Sequence, residues 1–232
     1  MNYRRILVFG AHPDDETTMA GTMAKLASEG CEVHVAILTD GCEGYPDPGL
    51  KDRIVAMRRD EQAACDRVLG VTKRHNYDAP DQGLTCDKPT LLWCMRVIRE
   101  VKPDAVFNHG PADVHNDHRR THEVVRDAVF HAGQPVNAEI GAPHRTPHVY
   151  YYKAVREALP TVTVDVTDFC WKSAESRATQ TSQHPLWNRF AKDWADLITK
   201  LKRERPTTAE TFWICDQTKL RAFPDLENGT AT

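Results

Sequence analysis

RILVFGAHPDDE, residues 5–16, is a short apolar run that ends in glycine and turns at once into a histidine, a proline and three acids. An unbroken apolar run of this length, closed by glycine, reads as a strand buried on both faces. Beyond it, Thr17 to Ser28 carries apolar or small residues at Met19, Met23, Leu26 and Ala27 and closes on Gly30, as a helix does. EVHVAILT, residues 32–39, is β-branched and apolar, a second strand. Residues 40–50 hold three glycines and two prolines and form a loop.

The same alternation continues outward. Residues 51–69 show helical spacing at Ile54, Met57, Ala64 and Val68 and end on Gly70. A short strand is expected at 74–77, a helix at 90–101 with Pro103 beyond it, a strand at AVFN (105–108) and a helix at 118–131. Strands and helices in this order predict an α/β domain with a mainly parallel sheet. Ligands of such sheets bind outside the carboxyl ends of the strands, which places loops 11–16, 40–50 and 109–118 on one edge. In the last third, strands are expected at 148–154, 161–166 and 212–215, and helices at 168–184 and 186–204. No linker or repeat interrupts the chain, so residues 1–232 read as one domain with a frayed tail from Asp225.

Composition narrows the function classes. Of 232 residues, 41% are apolar and 27% charged, with a net charge of -3, so no basic footprint for nucleic acid or an anionic membrane exists. No run approaches the ~20 apolar residues of a membrane span. The apolar run after Arg4 and Arg5 is too short for an export signal, and a cytoplasmic protein is expected. The seven cysteines are odd in number and include no C-x-x-C pair, so they read as reduced, small apolar residues. Cys42 alone falls in a loop near the expected site, the position for a reactive thiol.

Two constellations carry chemistry. In His12-Pro13-Asp14-Asp15-Glu16, a histidine and an acid three residues apart converge on one ion if the turn enters a helix, and Asp14 between them is left free to act on a water. Capping of the next helix accounts for one acid, not for three beside a histidine. His109-Gly-Pro-Ala-Asp-Val-His-Asn-Asp-His118 adds three histidines and two aspartates within ten residues on the same edge. His118 is the natural third ligand among them. His115 and Asp117 are suited to an oxyanion-binding or proton-donating imidazole and the carboxylate that orients it. For His109 and Asp113 the structural reading, a loop hydrogen bond and a turn, is preferred. His122 and His131 read as helix residues without a role in the site.

The pair A-H-P-D-D-E and H-x-D-H resembles the signature of the PIG-L/LmbE-like zinc-dependent N-deacetylase family. Thr39-Asp40-Gly41 with Gly44 is similar to its Thr-x-Gly-x-x-Gly loop, Arg58-x-x-Glu61 with Leu69-Gly70-Val71 to its R-x-x-E…LGV helix, and Ser182-Gln183 to its Ser-Gln. The resemblance covers residues 4–185. It implies a Rossmann-like three-layer sandwich with the active site at the carboxyl ends of the strands. It implies one Zn2+ per chain, or another divalent ion, on His12, Asp15 and His118, and this settles the choice of His118. It further implies Asp14 as general base, His115 and Asp117 as catalytic residues that stabilise and protonate the intermediate, and Arg58 as a substrate-binding residue. The expected substrate is a small N-acylated amino sugar or sugar conjugate, hydrolysed by metal-activated water, and a homo-oligomer is expected. Asn116 departs from the family's usual proline, which bears on loop rigidity rather than on ligation. Tyr45 to Asp47 and Tyr77 to Leu84 are expected to wall the pocket. The alternatives are a nucleotide-binding Rossmann-like module, against which stands the absence of G-x-G-x-x-G, and a non-catalytic sugar-binding protein, against which stands the full set of catalytic groups.

Overall fold

The computed structural model describes residues 3–153 and 161–215. The expected tail from Asp225 lies outside them, as does Ala154 at the end of its expected strand. β1 (Arg5–Gly10), β2 (Glu32–Thr39), β3 (Val71–Ala79), β4 (Ala105–Asn108) and β5 (His148–Tyr151) run parallel, and β7 (Ala209–Ile214) pairs antiparallel with both β5 and β6 (Thr161–Asp165). The sheet order is β3-β2-β1-β4-β5-β7-β6. The mainly parallel α/β architecture expected from the sequence is the one observed.

Helices cover both faces. Alternate residues of β1 divide between two cores: Leu7 and Phe9 pack with α3 (Lys88–Val101) and α4 (Asn116–Ala132), Ile6 and Val8 with α1 (Ala20–Ser28) and α2 (Ile54–Leu69). That is why the run in 5–10 is apolar throughout rather than alternating. Five of the seven cysteines, 31, 65, 94, 170 and 215, are buried and all seven are free. Burial, and then Asp40, push the Cys42 thiol up, away from thiolate character, so a reactive Cys42 is not supported.

Three boundaries differ from expectation. β3 runs well beyond 74–77, because its charges are paired rather than free: Arg74 is held by Glu16 at 2.6 Å and by Asp66, and Lys73 by Glu100 at 2.6 Å. The helix expected over 168–184 is only α5 (Lys172–Ala178) between 3-10 turns at Thr167–Phe169 and Thr181–Gln183. Glu61 causes the break at its far end, drawing the Ser182 N–H (2.6 Å) and hydroxyl (2.9 Å) onto its carboxylate. α6 (Ala191–Glu204) starts five residues late, after Pro185 and a left-handed Asn188 (φ 48°), with Asp193 accepting from the Phe190 N–H at 2.8 Å.

β1 is followed by β2 on one side and flanked by β4 on the other, so the chain changes direction across the sheet between β1 and β4. The crevice opened there is the ligand position of such folds. Loops after all five parallel strands meet at it: His12 after β1, Gly41 to Gly44 after β2, Asp81 after β3, His109 to His118 after β4 and Lys153 after β5.

Candidate metal centre

The turn after β1 is built by Asp15. Its Oδ2 accepts the backbone N–H groups of Ala11 (2.9 Å) and His12 (2.8 Å), which bends the chain back and leaves a 3-10 turn (Asp15–Met19) where a longer helix was expected. Those N–H groups are the ones a pyrophosphate would need, so a nucleotide reading fails here on occupancy as well as on charge. Glu16 faces the other way, wholly buried against Arg74, and has no part in the site. The N-terminus of α1 is capped from far along the chain: Glu210 on β7 accepts from Gly21 N (3.0 Å) and Thr22 N (2.8 Å).

The three expected ligands converge. His12 Nδ1 lies 3.0 Å from His118 Nε2 and 3.7 Å from Asp15 Oδ2, and His118 Nε2 lies 3.4 Å from Asp15 Oδ1. Donors on one tetrahedral zinc with bonds of 2.0–2.1 Å are about 3.4 Å apart, so these separations bracket what the ion requires. The ring nitrogens facing away from this point meet carboxylates: His12 Nε2 is 3.1 Å from Asp81 Oδ1 and 3.5 Å from Asp117 Oδ2, and His118 Nδ1 is 2.9 Å from Asp113 Oδ2. A carboxylate behind a ligating imidazole fixes its orientation and raises its basicity. His115 and His109 also lie within ligand distance of the same group, so the centre is richer in donors than one ion needs.

The electrostatics of the cluster favour a cation. Burial opposes protonation of His12, yet the surrounding Asp117, Asp15 and Asp81 lift its pKa to about 12. The carboxylates around His12 thus favour a positive charge at this point. Asp117 is fully buried, with Oδ2 accepting from Gln82 N at 2.7 Å and Oδ1 without a partner among the described residues. The residues present fit a divalent ion.

His115 caps α4, its Nδ1 accepting the Asp117 N–H at 3.2 Å. That leaves Nε2 as the proton-bearing nitrogen. Burial, then the charges of His12 and His118, push its pKa down and favour the neutral ring. The Asp117 carboxylate does not orient His115 as expected; it faces His12 and the Gln82 amide, and only the Asp117 backbone touches the His115 ring. Asn116 opens α4, and Arg119 supplies the rigidity a proline would have given, donating to the carbonyls of Asp113 (2.9 Å) and Val114 (2.8 Å).

Asp14 has its Oδ2 3.3 Å from Arg58 Nη2. Arg58 is 3% exposed and lies beneath the Gly41–Gly44 loop, where a Cβ on Gly44 would sit 2.7 Å from its Nη1. Gly41 also holds a left-handed φ of 70°. Arg58, expected to bind substrate, addresses Asp14 within the chain. Glu61 holds Ser182, and Gln183 donates to the Gly44 carbonyl at 2.8 Å, so the Arg-x-x-Glu, glycine-loop and Ser-Gln segments form one scaffold behind Asp14.

Three site residues escaped the sequence reading. Asp113 orients His118 rather than merely making a turn. His109 is fully buried, stacked on His118 (centroids 4.3 Å), with Nε2 3.1 Å from Asp15 Oδ2 and 2.8 Å from the Tyr152 hydroxyl. Tyr152 donates to the Phe9 carbonyl (3.0 Å), and the Ala11 N–H is directed at His109 Nε2 at 3.2 Å, so His109 packs into the same turn as Asp15. Lys153 reaches Asp15 Oδ1 at 2.7 Å. An excess of acids and imidazoles over what one ion needs was the available signal.

A cleft of about 640 Å3 opens over Asp14 and Asp15. Its other walls include Lys153, Ser173, Arg177, Trp187, Arg189 and Trp194, but not the Tyr45 to Asp47 loop. From the Tyr77 to Leu84 segment, Asp81 and Gln82 reach the ligand cluster instead. No helix among the described residues is long and apolar enough to cross a membrane.

Comparison with known proteins gives a consistent set. The family described as PIG-L, GlcNAc-PI de-N-acetylase, matches residues 7–129. The chain is similar to diacetylchitobiose deacetylase of Thermococcus kodakarensis, 29% identical over 217 residues that cover 87% of this chain and 80% of that protein. It is 32% identical over 184 residues to the 1D-myo-inositol 2-acetamido-2-deoxy-alpha-D-glucopyranoside deacetylase of Streptomyces griseus, covering 67% of this chain and only 57% of that one. Among solved structures, N,N'-diacetylchitobiose deacetylase from Pyrococcus horikoshii superposes with a TM-score of 0.79 over 97% of this chain and 89% of that one; at 24% identity this likeness concerns the fold.

Proposed function

The chain belongs to the PIG-L family of de-N-acetylases and is an amide hydrolase, and from that premise we propose that it removes an N-acetyl group from a small amino sugar or sugar conjugate at the His12–Asp15–His118 centre. The observation that carries the reading is the trio of donor atoms 3.0–3.7 Å apart, one of them on Asp15, which lines the cleft together with the neighbouring Asp14. The names of the relatives, both deacetylases of N-acetylated sugars, support the substrate class. Two nitrogens and one oxygen as donors suit zinc. Free cysteines suit a reducing cytoplasm.

A divalent ion held by His12, Asp15 and His118 would supply acidified water and polarise the amide carbonyl. Asp14 takes the proton from the attacking water, its carboxylate held toward the cleft by Arg58. His115, fixed by its cap with Nε2 as donor, stabilises the negative charge that develops on the carbonyl oxygen. Asp81, Asp113 and His109 keep the ligands aimed.

Asp14→Asn separates the chemistry from the ion. It is expected to lower kcat by about 10²- to 10⁴-fold, the usual worth of a positioned general base, while one divalent ion per chain is still bound. Acetate release at the wild-type rate by this variant would remove Asp14 as base. A wild-type protein that takes up no divalent ion would end the hydrolase reading at this centre.

A further inference from the structure

A second group of ligand-type side chains sits in the sheet away from its carboxyl edge. Glu32 and His34 alternate along β2, and Lys73 and His75 along β3, on the side where Glu100 of α3 reaches Lys73. At about 3.3 Å per residue, His34 lies about 16 Å along β2 from Thr39, so the group is remote from the His12 centre. The His34 and His75 rings have centroids 5.9 Å apart, against 5.0 Å for His12 and His118. His34 is 8% exposed, and both its ring nitrogens, with Nε2 of His75, are buried without a hydrogen-bond partner among the described residues. Buried polar atoms in that condition are costly. Glu32 Oε2 stands 3.7 Å from His34 Nε2, too far for a hydrogen bond and near the spacing of two donors on one ion. The Lys73 ammonium is taken up by Glu100 at 2.6 Å, which leaves Glu32 as the carboxylate for an ion. The β2–β3 register shifts between Val33 and His34, where Thr72 Oγ1 accepts the Val33 N–H at 3.2 Å. Such irregularities re-aim the side chains beside them.

We propose that His34, His75 and Glu32 form a second, structural metal site for a zinc-like divalent ion, which ties the edge strand β3 to β2. Two imidazoles and one carboxylate suit Zn2+ rather than Mg2+ or Ca2+, which take oxygen ligands. Ligation asks the rings to close from 5.9 Å toward the 5.0 Å of the His12 centre. Burial pushes both imidazoles down, His75 to about 4, so at pH 7 they ligate without giving up a proton. Glu32 is exposed and His75 half-buried on the sheet's edge, which gives the ion its way in.

The full chain is titrated with Zn2+ against a chromogenic chelator, and bound ions per chain are counted. The wild type is expected to take one Zn2+ more than His75→Gln, whatever the His12 centre holds, and no Mg2+ in its place. His75→Gln is expected to weaken that ion about 100-fold or more, since even partners behind a ligand are worth about 10- to 100-fold. Glu32→Gln, at an exposed side chain, is expected to weaken it about tenfold and keeps the test open should the histidine variant fail to fold. The additional ion is expected to raise the wild-type melting temperature and not that of His75→Gln. Acetate release is expected to be the same in both variants as in the wild type, so the outcome is read without turnover and leaves the deacetylase reading untouched. Equal Zn2+ counts and affinities in the wild type and the folded variants overturn the site, as they assign every bound ion to the His12 centre.

Discussion

Asp113 illustrates how much of the centre rests on side chains that touch no ion. Its Oδ2, 2.9 Å from His118 Nδ1, aims the imidazole at His12 and Asp15. Asp113→Ala is expected to weaken divalent-ion binding about 10- to 100-fold, the usual worth of such partners, read by competition with a chromogenic chelator, with little change in circular dichroism. Proton linkage gives a second check. His12, lifted to about 12, is an imidazolium at pH 8 in the metal-free protein and must lose that proton from Nδ1 to ligate. Metal uptake at pH 8 therefore releases a proton, seen as calorimetric heats that depend on the buffer's ionisation enthalpy, and affinity rises with pH. For folding of the metal-free chain the sign is opposite: the raised pKa stabilises fully below His12's ordinary value near 6.5 and that contribution is lost as pH climbs toward 12. Of the proposed ligands, His12 and Asp15 could be paired from the sequence because they share one turn, whereas His118 was chosen among the histidines of its loop by the family resemblance. Asp81, 69 residues from its partner, is placed by the β2–β3 pairing, which no local pattern encodes.

At the scale of elements, the Gly41–Gly44 loop is short of side chains because Arg58 passes beneath it. Gly44→Ala places a methyl 2.7 Å from Arg58 Nη1 and is expected to displace the guanidinium that faces Asp14. A fall in kcat of about tenfold or more is expected, as for other small displacements of catalytic groups, whereas Gly49→Ala, in the same loop at 3.1 Å from a flexible Asp47 oxygen, serves as the control. Glu61→Ala strips the acceptor from Thr181 Oγ1 and from both the N–H and hydroxyl of Ser182. A loss of about 2–4 kcal/mol in urea unfolding is expected from so many orphaned groups. Helix and strand existence was legible along the first two thirds, where apolar runs alternate with helical spacing. The ends of β3 and α5 were not, because salt bridges from Arg74 and Lys73 extend the one and Glu61 truncates the other. Each is a long-range polar contact overriding local preference.

For the molecule as a whole, the centre joins the ends of parallel strands to loops from both halves of the sheet, so an ion there ties distant segments together. Chelation is expected to lower the melting temperature: an ion at about 1,000 times its Kd contributes about 4 kcal/mol to the folded state. Thermal melts with and without a chelator, and after restoring the ion, check this; a melting temperature indifferent to chelation argues against a shared centre. The parallel sheet and its carboxyl-edge site followed from the order of elements, but the antiparallel return of β7 between β5 and β6 did not, since strand order leaves no mark on a short run such as 209–214.

That returning strand sets an order of events. Every proposed ligand has been translated by His118, yet Glu210, which accepts the first amides of α1 and so steadies the turn that aims Asp15, stands 189 residues beyond Gly21. Contacts of such separation close late in folding. A nascent chain stalled before β7 holds a full complement of ligands on an unfinished frame. Ion capture is therefore expected to follow translation instead of accompanying it.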